Sequence, residues 1–369
     1  MAKEKPERVA VVLFNLGGPD RPESIRPYLF RFFMDPRIIR VAFPLRLFIA
    51  GLISLRRSRR QAAAAYGRLG GRSPLYENTH AQATALEKTL NEQAPAGKIF
   101  KCFVCMRYWH PLTAYVVREV AAWSPQRIVR LPLYPQFSTT TTGSSFAAWE
   151  RAAEKAGLKT PTASVCCYPT QEGFIEASAQ NILATYNKAL EEAAHKNLPP
   201  PRVLFSAHGL PEDIVAGGDP YQWQIEKTAK AIVGQLKIPG LDWALCYQSR
   251  VGPKKWIGPS IFEALRDAAG CGAPVIVYPL AFVSEHVETL VEIEIEYRRV
   301  ARELGVPYYA RVPTAGVHPA FIDGLAKMAL DYTGRSGLYS QKGARLCPTS
   351  LRQCCMAGPH TRKGGENDG

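Results

Sequence analysis

Short apolar runs rich in Val, Ile and aromatic residues alternate with longer stretches of helical period along most of the chain. The apolar runs predict strands at residues 8–16, 98–108, 127–134, 163–167, 203–207, 243–248, 274–282 and 308–312. Helices are predicted in the intervening stretches, after turn signals such as Gly17-Gly18-Pro19. This alternation is typical of α/β proteins with parallel sheets and helices on both faces.

The two halves of the chain repeat the same order of elements on either side of the linker NLPPPR. A chain of 369 residues exceeds the size that one core usually serves, so two domains are expected. We predict an N-terminal domain over residues 1–196, a second over 197–335 and a short extension over 336–369. Neither first strand is followed by a GxGxxG or GxxxxGKS loop, so the cleft between the domains is expected to bind something other than a nucleotide.

The segment VIVYPLAFVSEHVETLVEIEIEY, residues 275–297, changes from a strand pattern to a column of acids. Its carboxylates are spaced three, four and four residues apart, at Glu285, Glu288, Glu292 and Glu296. On a helix they would share one face, beginning at the carboxyl end of a strand, where open α/β sheets bind their ligands. With His286 in the first turn, the segment predicts a route for a cation or for protons.

A solvated helix face is the alternative interpretation of this column. Ser284 is a suitable N-cap, and the helix dipole favours acids in the first turn whatever their function. The dipole does not account for Glu292 or Glu296, and no Lys or Arg follows Glu285, Glu288 or Glu292 by four residues to relieve the repulsion.

His208 is the second candidate, in LFSAHGLP at residues 204–211. It falls where a predicted strand ends, so His208 and Glu288 are expected to come from two strand ends and to face one crevice. The alternative is an exposed loop histidine. Further aromatic and basic side chains are candidates for the cleft: Tyr66, Arg107, Tyr108, Trp256 and Phe282. Together they would form an aromatic slot suited to a flat apolar molecule with carboxylates, although each alone is as compatible with core packing.

The charge balance of 46 basic against 32 acidic residues favours an anionic partner. Residues 44–72 hold seven Arg and no acid. Four of these, Arg56, Arg57, Arg59 and Arg60, follow an apolar run at 41–55 that is too short to span a bilayer. We predict a membrane-facing lip at residues 41–60, and not a nucleic-acid groove. A core helix with a basic exposed end is the alternative.

The N-terminus passes from a charged tail directly into a strand, without a signal-peptide pattern, so a cytoplasmic protein is expected. Nine cysteines in such a chain argue against structural disulfides.

Several segments resemble the ferrochelatase family over residues 8–335. They are FNLGGPDRPESIRPYLFRFFMDPRII, YGRLGGRSPL, MRYWHPLT, YPQFSTTTTGSS, LFSAHGLP, GDPY, YQSRVGPKKWIGP and PLAFVSEHVETLVEIEIEY. The resemblance implies two Rossmann-like doubly wound domains with parallel sheets, and insertion of Fe²⁺ into protoporphyrin IX with release of two protons. It also implies peripheral contact of the lip with the inner face of the membrane, and it leaves a homodimer open.

By the same resemblance, His208 and Glu288 are the catalytic and metal-site residues, with His286 close by. The other members of the column, Glu285, Glu292 and Glu296, match the family's acidic path, and the five cleft candidates named above match the porphyrin pocket. An imidazole and a carboxylate suit exchangeable Fe²⁺ better than a closed thiolate cage would.

The C-terminal segment GLYSQKGARLCPTSLRQCC resembles the extension of members that carry a 2Fe-2S cluster. Such a cluster needs four thiolates. Three would come from the tail, Cys347, Cys354 and Cys355, and the fourth from Cys166 or Cys167, because Ala177 stands where the animal enzymes have Cys. Free thiols in a frayed tail are the alternative.

Three rival functions remain at this stage. Coproporphyrin III is a rival substrate, although the lip argues against it. A porphyrin or haem carrier would use the same slot without needing the acidic column. A nonhaem iron oxygenase needs two His and one carboxylate, which His208, His286 and Glu288 would imitate.

Overall fold

The structure is a computed structural model that describes residues 5–59, 61–250 and 254–358. Four parts of the predicted domains lie outside the described residues: residues 1–4 of the first domain, Arg60 of the predicted lip, residues 251–253 of the second domain and residues 359–369 of the extension.

Nine strands in the described residues form two parallel sheets. The first sheet has the order β2-β1-β3-β4-β9, with β1 Glu7–Asn15, β2 Lys98–Met106, β3 Arg127–Pro132, β4 Thr162–Cys167 and β9 Gly337–Ser340. The second has the order β6-β5-β7-β8, with β5 Arg202–His208, β6 Trp243–Gln248, β7 Val275–Pro279 and β8 Tyr309–Arg311. The predicted α/β class with two parallel sheets is confirmed, and the strands are buried because helices cover both faces.

Helices connect the strands. They are α1 Ile25–Phe33, α2 Phe43–Arg59, α3 Gln61–Gly67, α4 Leu75–Gln93, α5 Thr113–Trp123, α6 Thr142–Lys155, α7 Glu172–His195, α8 Glu212–Ala216, α9 Tyr221–Leu236, α10 Ile261–Gly270, α11 Arg298–Glu303 and α12 Pro319–Tyr332. A 3-10 turn at Pro22–Ser24 precedes α1, and a π-helix at Glu288–Tyr297 precedes α11. Local chemistry explains some starts: Ser260 and Glu263 form a reciprocal capping box at α10.

One apolar core spans both sheets. It contains residues of β1, β3 and β4 together with residues of β5 and β7, joined through α4, α7, α9 and α12. Helix α12 follows the second sheet in sequence yet packs against α4 and α7. The two sheets are therefore held in a fixed relation by shared packing.

The C-terminal segment returns to the first sheet. Strand β9 pairs in parallel with β4, and the N–H of Gln341 donates to the carbonyl of Cys167 at 3.0 Å. The start of the predicted extension is thus an edge strand of the first sheet. Across the described ranges, the model contains no helix with both the length and the apolarity that a bilayer crossing demands.

Candidate active site

Two neighbouring strands of the second sheet supply the central residues of the site. His208 is the last residue of β5, and β5 pairs with β7. After β7 the chain turns and enters the π-helix, whose first residue is Glu288. This topology agrees with the expectation that the two residues come from two strand ends, and it shows that the two strands are neighbours.

The helix that carries the acids differs from the predicted one. We expected an α-helix capped by Ser284, but the helix is a π-helix that begins at Glu288. The Ser284 hydroxyl donates to Oε1 of Gln82 at 2.7 Å instead of capping. Single π-helical turns are rare and occur often at functional sites.

Glu288 has a buried carboxylate oxygen without a partner. Its Oε2 is hidden from solvent and makes no hydrogen bond to any described residue. The carboxylate of Glu288 also affects a nearby phenol: burial, and then the charge of Glu288, raise the pKa of Tyr66. An unpaired buried carboxylate oxygen is costly, and such a group calls for a cation or a proton as its missing partner.

Each of the two histidines of the site has its Nδ1 next to a backbone carbonyl. His208 Nδ1 lies 2.7 Å from the carbonyl oxygen of Gly209, and His286 Nδ1 lies 3.2 Å from that of Ser284. Because a carbonyl only accepts, Nδ1 carries a proton in each ring. Burial lowers the pKa of His286 against the opposing charge of Glu288, so this ring is neutral at neutral pH.

Glu292 continues the acidic column from Glu288. Its carboxylate accepts hydrogen bonds from the hydroxyl of Ser249, at 2.9 and 2.7 Å, and from that of Tyr297. Burial and then the charge of Glu288 raise the pKa of Glu292. Glu292 is therefore suited to take up a proton, and Glu296, one turn further, is exposed to solvent.

Glu285 has hydrogen-bond donors at both carboxylate oxygens. It accepts from Arg311 Nη1 at 2.8 Å, from the N–H of Thr314 at 2.9 Å and from the Thr289 hydroxyl at 2.5 Å. Burial alone would raise the pKa of Glu285, but Arg311 and these hydrogen bonds lower it. Arg311 of strand β8 thus supplies the positive charge near Glu285 that the acidic helix itself does not provide.

Aromatic side chains lie around the acids and histidines. Tyr66 and Tyr108 are buried in one cluster, against which Val287 packs. The Phe282 ring centroid is 4.5 Å from that of His286, and the Trp256 centroid is 6.4 Å from that of His208. The structure thus brings these four predicted pocket residues to the same region as the predicted metal-site residues.

Sequence reasoning missed several side chains that hold this region. Asp35 binds Arg107 and Tyr108, Ser249 and Tyr297 bind Glu292, and Arg311 binds Glu285. Asp35 and Ser249 lie inside segments that carried the family resemblance, so position within those motifs was an available signal. Nothing in the sequence pattern pointed to Arg311.

The five tail and β4 cysteines come together at the edge of the first sheet. Cys166 Sγ is 3.5 Å from Cys167 Sγ, and Cys355 contacts the thiols of Cys166 and Cys354. Hydrogen bonds from Cys347 and then Cys355 lower the pKa of Cys354 to about 3. Within the described ranges, no three His, Cys, Asp or Glu side chains are arranged to hold a single metal ion.

Comparisons with known proteins agree on one family. The sequence profile of the ferrochelatase family matches residues 8–332. Ferrochelatase from Caulobacter vibrioides is 49% identical over 354 residues, which cover 95% of this chain and 99% of that protein. Ferrochelatases from Phenylobacterium zucineum and Pelagibacter ubique are 48% and 42% identical, and each match covers 94% of this chain and 97% of the relative.

Among solved structures, SirB from Bacillus subtilis with Fe³⁺ superposes with a TM-score of 0.48 at 11% identity, over 89% of this chain and 96% of that one. The chain belongs to the ferrochelatase family.

Proposed function

We propose that this chain inserts Fe²⁺ into protoporphyrin IX, with release of two protons, to give protohaem in the last step of haem b synthesis. Membership of the family makes it a metal chelatase of haem biosynthesis whose substrates are Fe²⁺ and a porphyrin. The observation that carries the site assignment is the unpartnered, buried Oε2 of Glu288 beside a neutral His286.

We assign iron binding and proton abstraction to His208 and Glu288. The imidazole of His208 and the unpaired oxygen of Glu288 are few and exchangeable donors of the type that suits Fe²⁺ in transit. Tyr221 supports this assignment, since its hydroxyl donates to the His208 carbonyl at 3.0 Å and so holds the end of β5 in place.

We assign proton removal to Glu292 and Glu296. Each pyrrole N–H proton must leave as iron enters, and a carboxylate with a raised pKa next to Glu288 is a suitable acceptor. Glu296 would pass the proton to solvent from its exposed position. The ion pair of Glu285 with Arg311 argues for a positioning role, so we remove Glu285 from the path that the sequence predicted.

We assign the porphyrin to the aromatic region formed by Tyr66, Tyr108, Trp256 and Phe282, with Arg107 at its edge. A rigid slot of this kind would convert binding energy into bending of the macrocycle, which turns the nitrogen lone pairs toward the metal.

The test is an anaerobic insertion assay with Fe²⁺, run side by side on protoporphyrin IX and coproporphyrin III. We expect a haem spectrum and a higher kcat/KM with protoporphyrin. Higher kcat/KM with coproporphyrin would refute the substrate assignment, and porphyrin binding without insertion would indicate a carrier. Oxygen uptake with Fe²⁺ would instead indicate an oxygenase.

His208→Ala tests the metal-site assignment in the same assay. Loss of a group that transfers protons typically costs about 10²–10⁴ in rate, and we expect at least a loss of this order with an unchanged circular dichroism spectrum. His80→Ala is the matched control, because His80 is exposed and contacts only Tyr76 among rings. Insertion at the wild-type rate by the His208 variant would overturn the assignment.

We also propose that α2 is the membrane-facing lip and that the protein is cytoplasmic, on the inner face of the membrane. Large apolar side chains on α2 are exposed: Phe43, Leu45, Leu47, Phe48 and Leu52. Arg56, Arg57 and Arg59 follow in its last turn. An apolar surface with a cationic margin suits an interface with anionic lipid.

A 2Fe-2S cluster is the remaining proposal, and the thiols present fit one. Four thiolates are needed, two at each iron, and five are gathered, with Cys347, Cys354 and Cys355 facing Cys166 and Cys167. We expect bound iron and sulfide and visible absorbance in anaerobically purified protein. Cys347→Ser should lose them, and Cys271→Ser, at an exposed cysteine elsewhere, should not. Absence of iron and sulfide in the wild type would refute the cluster.

A further inference from the structure

Asp35 is a buried carboxylate that the insertion chemistry above does not use. It follows α1 in the turn that leads to the lip, and its side chain is only 1% exposed. Its backbone carbonyl accepts hydrogen bonds from the N–H groups of Ile38 and Ile39, each at 3.0 Å. These backbone hydrogen bonds hold Asp35 in place independently of its side-chain contacts.

Both carboxylate oxygens of Asp35 are fully engaged. Oδ1 accepts from the N–H of Arg37 at 2.8 Å. Oδ2 accepts from Arg107 Nη2 at 2.7 Å, from the Tyr108 hydroxyl at 2.8 Å and from the Ser144 hydroxyl. A buried charge needs such partners, and all of the donors on Oδ2 come from elements other than that of Asp35.

Arg107 depends on this carboxylate for its orientation. Its Nε donates to Ser144 at 2.7 Å, its Nη2 donates to Asp35, and the guanidinium lies 4.7 Å from the Tyr108 ring centroid. Since Ser144 itself donates to Asp35, removal of the carboxylate would loosen both anchors of the guanidinium together.

The electrostatics agree with an ionised Asp35. Burial alone would raise its pKa, but the Ser144 hydrogen bond and the charge of Arg107 outweigh burial and lower it. At neutral pH the pair is therefore an ion pair, and the Arg107 side chain is still 17% exposed.

We propose that Asp35 is a positioning residue for porphyrin binding, which acts by holding Arg107 and Tyr108 in the orientation that receives the macrocycle. This proposal rests on the proposed assignment of Arg107 and Tyr108 to the porphyrin pocket. In the part of the chain that the structure describes, the side-chain partners of Asp35 are Arg37, Arg107, Tyr108 and Ser144, and none is an acid or histidine of the metal site. Its effect should therefore fall on the porphyrin and not on Fe²⁺.

A double-mutant cycle on Asp35 and Arg107 tests the proposal. Protoporphyrin IX binding is followed by fluorescence, and KM is measured for porphyrin and for Fe²⁺ separately. Asp35→Asn removes a charge-assisted network, and we expect porphyrin affinity to fall about tenfold or more with little change in KM for Fe²⁺. In the Arg107→Gln background, Asp35→Asn should have a clearly smaller effect than in the wild type, because only its hydrogen bond with Tyr108 is left to lose.

The controls separate positioning from general damage. Asp20→Asn is the matched variant, since Asp20 accepts from Ser24 and Trp109 and touches neither pocket residue. If Asp35→Asn fails to fold, Ser144→Ala removes one bond of the same network and should show a smaller effect with the same dependence on Arg107.

Additive losses in the double variant, or unchanged porphyrin affinity in Asp35→Asn, would overturn the positioning role alone. Unchanged affinity in both Arg107→Gln and Tyr108→Phe would instead refute the pocket assignment on which the proposal rests.

Discussion

The carboxylates of Glu285 and Glu292 come from one acidic segment but have opposite surroundings. Glu285 faces Arg311 and a backbone N–H, which lower its pKa. Burial and then the charge of Glu288 raise the pKa of Glu292. One segment thus supplies a permanent anion for structure and a proton acceptor for chemistry, and only the positions of distant residues distinguish them.

At the residue scale, Glu285→Gln should destabilise the protein in a pH-dependent way. A carboxylate whose pKa is lowered by folding stabilises the native state above its ordinary pKa, and the stabilisation is lost as the pH falls through the folded pKa. We expect the free energy of unfolding at pH 7 to fall by about 1–3 kcal/mol, and the deficit to shrink toward pH ~3.

Urea denaturation of wild type and variant at both pH values measures this. Glu303→Gln is the control, because Glu303 forms an exposed pair with Arg299 and should change stability by less than about 1 kcal/mol. An equal deficit at both pH values would mean that the charge of Glu285 is not what stabilises the start of the π-helix.

At the scale of elements, α2 combines features that rarely occur together in a core helix. Its residues Phe43 and Phe48 are 60% and 69% exposed, whereas Ala50 and Ser54 are its buried positions. The small residues pack inward and the large apolar ones face out, which is the reverse of an ordinary amphipathic helix of a globular protein. This inversion favours the membrane lip over the alternative of a core helix.

Phe48→Glu should weaken binding to vesicles of anionic phospholipid. Burying a Phe side chain contributes about 1.5–3 kcal/mol, so the partition coefficient should fall tenfold or more, with an unchanged melting temperature. Co-sedimentation with vesicles measures the partition. Leu190→Glu, at an exposed position of α7, is the control and should leave it unchanged. Equal effects of both substitutions would show that any added negative charge repels the vesicle.

The element pattern was predictable where it depends on local sequence. Apolar runs placed all eight strands of the two halves, because a buried parallel strand is apolar on both faces. The π-helix was not predictable, since acids three or four residues apart fit an α-helical face equally well. Ser284 could cap a helix that starts earlier than Glu288. Its hydroxyl donates to Gln82 instead.

At the scale of the molecule, a buried glutamine joins the first half of the chain to the active-site segment. Gln82 of α4 donates through Nε2 to the carbonyls of Val283 and Gly316, at 2.8 and 2.9 Å, and accepts from Ser284. Asn78, one turn earlier, donates to the carbonyl of Glu285 at 2.9 Å. The position of the π-helix relative to the first sheet is therefore set by α4.

Gln82→Ala should lower both stability and turnover. It removes the side-chain donor from the carbonyls of Val283 and Gly316, and among the described residues only the Val283 carbonyl keeps a second donor, the N–H of Gly316 at 2.9 Å. Loss of the partner of the Gly316 carbonyl costs on the order of 1–3 kcal/mol. We expect a lower urea midpoint and a lower kcat, because His286 and Glu288 lose their support. Gln93→Ala on the same helix is the control, since Gln93 is exposed. Full kcat in a destabilised Gln82 variant would show that α4 stabilises the fold without positioning the site.

Contacts such as those of Gln82, Asp35 and Arg311 explain why the site was only partly predictable. His208 and Glu288 could be predicted from local sequence, because each is a potential metal ligand that follows a predicted strand. Asp35 and Arg107 are 72 residues apart, and Gln82 and Val283 are 201 apart. Pairings over such distances follow from how the two sheets pack, and no periodicity records them.

Strand β9 has a bearing on how the cysteine-rich tail should be studied. By pairing with β4 it occupies a row of main-chain donors and acceptors that would otherwise be bare at the border of the first sheet. A truncation that removes β9 together with the tail thiols would uncover that row and favour pairing with neighbouring molecules along this edge. Loss of activity in such a shortened protein could result from aggregation as well as from loss of bound iron. Substitutions of single cysteines by serine are therefore the cleaner probe.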